Sequence, residues 1–308
     1  MSLWLVVNFE MKQDNENFID LIKGVFFVLL IGAGLVVIMS VVMGRAPVGG
    51  EPEGKIYKTV DGKDLVLWIY KPKNWQSGDS RPCVVWFFGG GWKVGNPEQF
   101  AAQSKYLAKR GMISITAEYR IKSLHGSTPM ESTMDARSAM RWVKLHAIEL
   151  GIDRERIAAA GGSSGGQLAL ACEITTNVND PMDIISVSPK PAALILFNPV
   201  ADLDIPQVSD QVDGGEFKRL LEISPMHGLT SAMPPTIVFH GTADKVVPVD
   251  SVSAFIEKAK SIGSENITYH KYLERGHEFY YGAGSRKDYK DTMIKVTSFL
   301  ESLGWLPK

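Results

Sequence analysis

Three groups of residues in this chain could together carry out acyl transfer. The first is the run Ala158-Ala159-Ala160-Gly161-Gly162-Ser163-Ser164-Gly165-Gly166, which passes from a small apolar strand through a glycine-dense turn into a helix. A serine at the apex of so sharp a turn sits in a strained backbone conformation, and the positions two before and two after it must be small to avoid strand and helix. Its hydroxyl is exposed, and the first N–H groups of the helix face the place where negative charge develops. Two registers fit, with Ser163 or Ser164 at the apex. Ser163 is the better nucleophile, because Gly161, Gly165 and Gly166 then take the crowded positions, whereas Ser164 would put Gln167 at the third. A flexible glycine-serine turn has the same composition, so the decision rests on the other two groups.

The second group is Gly89-Gly90-Gly91-Trp92, directly after the apolar run Cys83–Phe88. Residues without side chains let backbone N–H groups come close to an oxyanion. The Ser164 N–H, one residue past the nucleophile, completes such a hole. The third group is an acid and a base. Asp244 follows the apolar strand Thr236–His240, and His277 follows the strand Ile267–Tyr272 and precedes the last helix. An aspartate in a turn often serves only its own backbone, and a loop histidine is often merely solvated. Position argues otherwise here: His125 and His146 precede the serine, His227 lies in an insertion, and His240 and His270 lie in strands.

The elements that must hold these groups alternate between strand and helix. Lys55–Val60 and Asp64–Tyr70 read as a hairpin turning at Asp61-Gly62, with Leu65, Leu67 and Ile69 alternating. Then follow strand Cys83–Phe88, helix Glu98–Arg110, strand Met112–Glu118, helix Met130–Leu150, the strand into Ser163 and helix Gly165–Thr176. Strands Ala192–Phe197, Thr236–His240 and Ile267–Tyr272 complete the series, with helices Ser251–Ser261 and Arg286–Leu303 between and after them. This predicts an α/β fold: a doubly wound, mostly parallel sheet with an N-terminal antiparallel hairpin and a short cap insertion. Ligands of such sheets bind at the carboxyl ends of the strands, where all three groups fall.

Composition narrows the classes further. With 45% apolar and 22% charged residues and a formal net charge of -1, the chain is globular in type and has no basic cluster suited to nucleic acid. Cys83 and Cys172 read as small buried apolar residues, and no metal-ligand cluster or phosphate-binding glycine loop calls for a cofactor. Gly24–Met43 carries no charge and is long enough to cross a bilayer as a helix. Residues 1–46 are therefore expected to be a leader with a membrane anchor or, given Gly44-Arg45-Ala46, a cleaved signal, and the expected location is membrane-anchored or exported. Residues 47–54 read as a linker and 55–308 as the catalytic domain.

Taken together, Phe88-Gly89-Gly90-Gly91-Trp92, Ala117-Glu118-Tyr119-Arg120, Gly161-Gly162-Ser163-Ser164-Gly165-Gly166, His240-Gly241-Thr242-Ala243-Asp244 and Gly276-His277 resemble the α/β-hydrolase superfamily. The resemblance is to its hormone-sensitive-lipase-like and acetyl-xylan-esterase-like carboxylesterases. It implies a triad of Ser163, Asp244 and His277, in that chain order, and an oxyanion hole of Gly90, Gly91 and Ser164 N–H groups. Two positions depart from the pattern: the family usually has His where Phe88 stands, to pin the glycine loop, and commonly alanine where Ser164 stands. A prolyl-oligopeptidase-like peptidase and a non-catalytic hydrolase-like binding protein are the competing readings; a retained triad disfavours the second. The insertion Val200–Leu229, with Asp202, Asp204, Asp210 and Asp213, predicts a polar approach and a short-chain ester substrate; that the ester is an acetyl group on carbohydrate is what the resemblance to acetyl-xylan-esterase-like proteins implies.

Overall fold

The computed structural model describes residues 51–209, 214–281 and 285–307. The uncharged run Gly24–Met43 lies outside them. Among the described residues, no helix is long and apolar enough to cross a membrane.

Eight strands form one sheet: β1 (Glu53–Val60), β2 (Lys63–Tyr70), β3 (Arg81–Phe87), β4 (Ile113–Ala117), β5 (Ile152–Gly162), β6 (Ala193–Phe197), β7 (Thr236–Gly241) and β8 (Ile267–Tyr272). Their order across the sheet is β1-β2-β4-β3-β5-β6-β7-β8. The β1–β2 and β2–β4 pairs are antiparallel and the rest parallel. The hairpin turns at Asp61 and Gly62, both with positive φ (51° and 72°), the two-residue geometry whose twist matches that of the strands.

Alternation along the strands sends side chains to two separate cores. Val84 and Trp86 of β3 belong to the core that also takes in helices α1 (Ala101–Lys109) and α6 (Arg286–Ser302); Cys83, Val85 and Phe87 belong to the core that takes in α2 (Pro129–Leu145), α3 (Ser164–Ile174) and α5 (Val249–Ser261). Both faces being covered explains why the central strands are continuous apolar runs. Helix α2 opens with a capping box, in which the Thr128 side chain and Glu131 satisfy each other's backbone N–H groups.

The strand order reverses beside β3: β4 lies on one side of it and β5 on the other. Phe87 at the end of β3 is in register with Gly161 of β5, so the glycine loop and the serine turn emerge side by side. The expected helix Met130–Leu150 ends instead at Leu145, followed by a separate turn Ala147–Leu150. At the break His146 stacks on Trp142, centroids 3.9 Å apart, and its Nδ1 lies 2.8 Å from the Trp142 carbonyl oxygen.

The expected cap insertion contains helical turn Pro206–Ser209, helix α4 (Gly214–Leu221) and helical turn Pro225–Gly228. Its character differs from the polar approach expected. Leu203, Leu220 and Ile223 are buried, and Ile205, Val208 and Leu220 line the cleft over the strand ends. The Asp202 carboxylate is taken up within the insertion, accepting from the Asp204 N–H and the Ser224 hydroxyl. Asp210 and Asp213 lie outside the described residues.

Candidate active site

Ser163 stands between β5 and α3 with φ 55° and ψ -124°, a conformation few side-chain-bearing residues adopt. Neighbouring backbone enforces it. A Cβ on Gly161 would lie 2.3 Å from the Gly165 carbonyl oxygen, one on Gly165 2.1 Å from that of Phe87, and one on Gly166 2.8 Å from Pro199 Cα. These are the small positions required by a turn centred on Ser163. Its N–H donates to the Phe197 carbonyl at 2.9 Å, and its side chain makes no capping bond to the helix, leaving the hydroxyl for other chemistry.

His277 Nδ1 lies 2.7 Å from Asp244 Oδ2. The other carboxylate oxygen accepts from the N–H groups of Val246 (2.8 Å) and Val247 (3.0 Å). A second imidazole completes the cradle. His240 Nε2 donates to the Val247 carbonyl at 2.9 Å and lies 3.4 Å from Asp244 Oδ2, while its buried Nδ1 has no protein partner among the described residues. Burial works against ionising Asp244, but the hydrogen bonds from His240, His277 and the Val247 N–H outweigh it and hold the carboxyl well below the usual range. The anion then fixes the imidazole tautomer, with Nδ1 protonated toward Asp244 and Nε2 left to accept a proton.

Two further groups hold the histidine loop. Asn198, fully buried with φ 38°, donates through Nδ2 to the His277 carbonyl and accepts the Gly241 N–H at Oδ1. Gly241 is glycine because a Cβ there would lie 2.2 Å from the Arg275 carbonyl oxygen, so the loops after β7 and β8 touch backbone to backbone. Neither His240 nor Asn198 stands out as a site residue from sequence. For His240 the signal was its four-residue spacing from Asp244 across a glycine turn.

Ser163 and His277 face one cleft of about 680 Å³, shared with the glycine loop. Val200, Ile205, Val208, Leu220, Val246 and Val247 supply its apolar wall; Lys122, Ser127, Thr128 and Glu278 are polar. The glycine loop corrects one expectation. The Gly91 N–H does not face open space but donates to Ser164 Oγ at 3.0 Å, and the Gly89 N–H donates to Gln99 Oε1 at 2.6 Å. Phe88, where a pinning histidine was expected, stacks on Tyr119 with ring centroids 4.1 Å apart. Arg120 has a structural role, its guanidinium forming two bonds to Asp135. Among the described residues no group of three or more His, Cys, Asp or Glu is placed to hold a metal ion.

Known proteins with related sequences and structures carry ester-hydrolase names. The chain is 28% identical over 257 residues to a probable carboxylic ester hydrolase, LipM, of Mycobacterium tuberculosis, covering 78% of this chain and 58% of LipM. It is 27% identical over 218 residues to esterase LipC of the same organism, covering 64% and 53%. The chain thus spans somewhat over half the length of these curated relatives. The propionate-bound structure of an esterase, Est2, from Thermogutta terrifontis superposes with a TM-score of 0.78 at 38% identity, covering 84% of this chain and 96% of that one. A BD-FAE family model matches residues 67–259, which run from β2 through the glycine loop, Ser163 and Asp244 to α5. With more than half of its length under that model and the strand order described above, the chain belongs to the BD-FAE family and has the α/β-hydrolase fold.

Proposed function

We propose that this protein is a serine carboxylesterase that hydrolyses short-chain acyl esters through an acyl-enzyme on Ser163. The observation that carries the reading is a strained serine sharing a cleft with an imidazole whose far nitrogen is held by a buried carboxylate. His277 Nε2 takes the Ser163 proton as Oγ bonds the ester carbonyl carbon, and the carbonyl oxygen becomes an oxyanion facing backbone N–H groups. The imidazolium then protonates the leaving alcohol. Water, deprotonated by the same imidazole, attacks the acyl-enzyme and releases the acid. Asp244 stays ionised throughout.

The apolar wall supports an acyl chain of a few carbons, each buried methylene contributing about 0.8 kcal/mol. Propionate and butyrate have both been bound by the related Thermogutta terrifontis esterase, which supports the same length. For the alcohol, the polar side of the cleft favours a hydrophilic group, an acetylated sugar included. A series of p-nitrophenyl esters tests the acyl side: kcat/KM is expected to peak between acetyl and butyryl and to fall by octanoyl, and a steady rise to octanoyl refutes it. Acetate release from acetylated sugars or polysaccharides tests the alcohol side. Gly24–Met43 supports attachment to a membrane, tested by whether full-length protein sediments with membranes and resists carbonate extraction.

A further inference from the structure

A buried hydrogen-bonded path ties the glycine loop to the serine turn. The Gly91 N–H donates to Ser164 Oγ at 3.0 Å, and the Tyr119 hydroxyl donates to the Phe88 carbonyl at 2.7 Å. The Ser164 and Tyr119 hydroxyls are neighbours; burial raises the Tyr119 pKa and the Ser164 hydroxyl partly offsets the rise. Ser164 and Tyr119 are 0% and 1% exposed, so water does not substitute for these bonds. Around this path the loop's N–H groups have separate fates. Those of Gly89 and Gly91 are used by Gln99 and Ser164, whereas those of Gly90 and Ser164 have no acceptor among the described residues. Gly90, with φ 135°, has its carbonyl held by the Lys93 and Val94 N–H groups at 3.1 and 3.2 Å, and a Cβ there would lie 2.0 Å from the Val94 carbonyl oxygen.

We propose that the Ser164 hydroxyl is a positioning residue for a two-donor oxyanion hole made by the N–H groups of Gly90 and Ser164, with Gly91 donating to Ser164 rather than to substrate. This rests on the esterase reading above. Oxyanion donors work only at about 2.7–3.1 Å from the charge. A misplacement near 1 Å costs on the order of a hundredfold. Three consecutive glycines have no side chains with which to hold such a position, so hydrogen bonds must fix them. Ser164 does so economically, because its backbone carries one donor while its hydroxyl sets the distance to the loop carrying the other. Tyr119 extends the clamp to the start of the loop through the Phe88 carbonyl, the place at which Phe88 itself offers only its ring.

The test uses full-length protein and the variants S164A, Y119F and S164A/Y119F. Each is assayed for kcat and KM with p-nitrophenyl butyrate and for inhibition by an alkyl trifluoromethyl ketone, whose serine adduct places an oxyanion in the hole. S164A is expected to lower kcat about tenfold with KM within twofold, and to weaken the ketone by the same factor. Y119F, which leaves the helix start untouched and serves alone if S164A does not fold, is expected to lower kcat about threefold with KM unchanged. The double variant should lose less than the product of the two. An unchanged or raised kcat in S164A, a loss confined to KM, or multiplicative losses in the double variant overturns the proposal. Titration with a fluorophosphonate separates the two levels: variants that label fully but fail these expectations sink the clamp, whereas wild-type protein that does not label sinks the esterase reading itself.

Discussion

The serine turn and the insertion between β6 and β7 face the same cleft but are held by different forces. Around Ser163, backbone meets backbone: the places of absent Cβ atoms at Gly161 and Gly165 lie 2.3 and 2.1 Å from carbonyl oxygens. The insertion is held by side chains, with Leu203, Leu220 and Ile223 buried beneath it and Asp202 and Ser224 closing its turns. Hard contact between main chains permits one residue type per position. Side-chain packing tolerates exchange at roughly constant volume. Chemistry is therefore fixed at the turn, and selectivity is adjustable over it.

Substitutions can break that contrast, beginning at the turn. Gly165→Ala forces a methyl group into the Phe87 and Phe88 carbonyls, and is expected to cost more than about 4 kcal/mol and leave little folded enzyme, measurable by urea unfolding. Ser163→Ala and His277→Ala should fold normally and lose about 10⁴-fold or more in kcat, nearly equally, because members of the proposed triad would act as a unit. Asp244→Asn should cost about 10³–10⁴-fold by upsetting the imidazole tautomer.

The same aspartate has a pH signature. Its folded pKa is depressed, so the stability it contributes is complete above the unfolded carboxylate pKa, about 3.9, and is lost as pH falls through the lower folded value. Urea midpoints measured at pH 5 and pH 3 should therefore fall less for Asp244→Asn than for the unaltered protein. A parallel fall in both proteins would remove Asp244 from the acid response.

The insertion should give the smallest effects. Leu220→Ala and Val208→Ala are expected to leave kcat on acetyl esters within about threefold while shifting relative kcat/KM among acetyl, butyryl and octanoyl esters, by about 0.8 kcal/mol for each acyl methylene newly covered or uncovered. Unchanged selectivity in both would mean that the acyl chain lies elsewhere in the cleft.

This contrast also governs what could be read from the sequence. The central strands were legible as apolar runs and the first pair by its turn at Asp61-Gly62, and the serine turn was legible because its constraint falls on consecutive residues, Gly161 through Gly166. Asp244 and His277 were found by their places after strands β7 and β8. Asn198 was not, because its role lies in joining two loops distant in sequence, at Gly241 and His277. Nor were the insertion's helices. Only the fold brings Ile205, Val208 and Leu220 together over the cleft, and along the chain they are scattered among aspartates, glycines and other polar residues. Nothing near Gly91 in the chain marks its N–H as engaged, because the hydroxyl that accepts it lies 73 residues away.

Everything proposed for the cleft depends on Ser163, and not its neighbour, being the nucleophile. Reaction of the full-length protein with a fluorophosphonate, followed by peptide mapping in a mass spectrometer, tests it directly. One adduct per chain is expected, on Ser163, absent in Ser163→Ala and still formed in Ser164→Ala. An adduct on Ser164, or none on protein that hydrolyses esters, would contradict it.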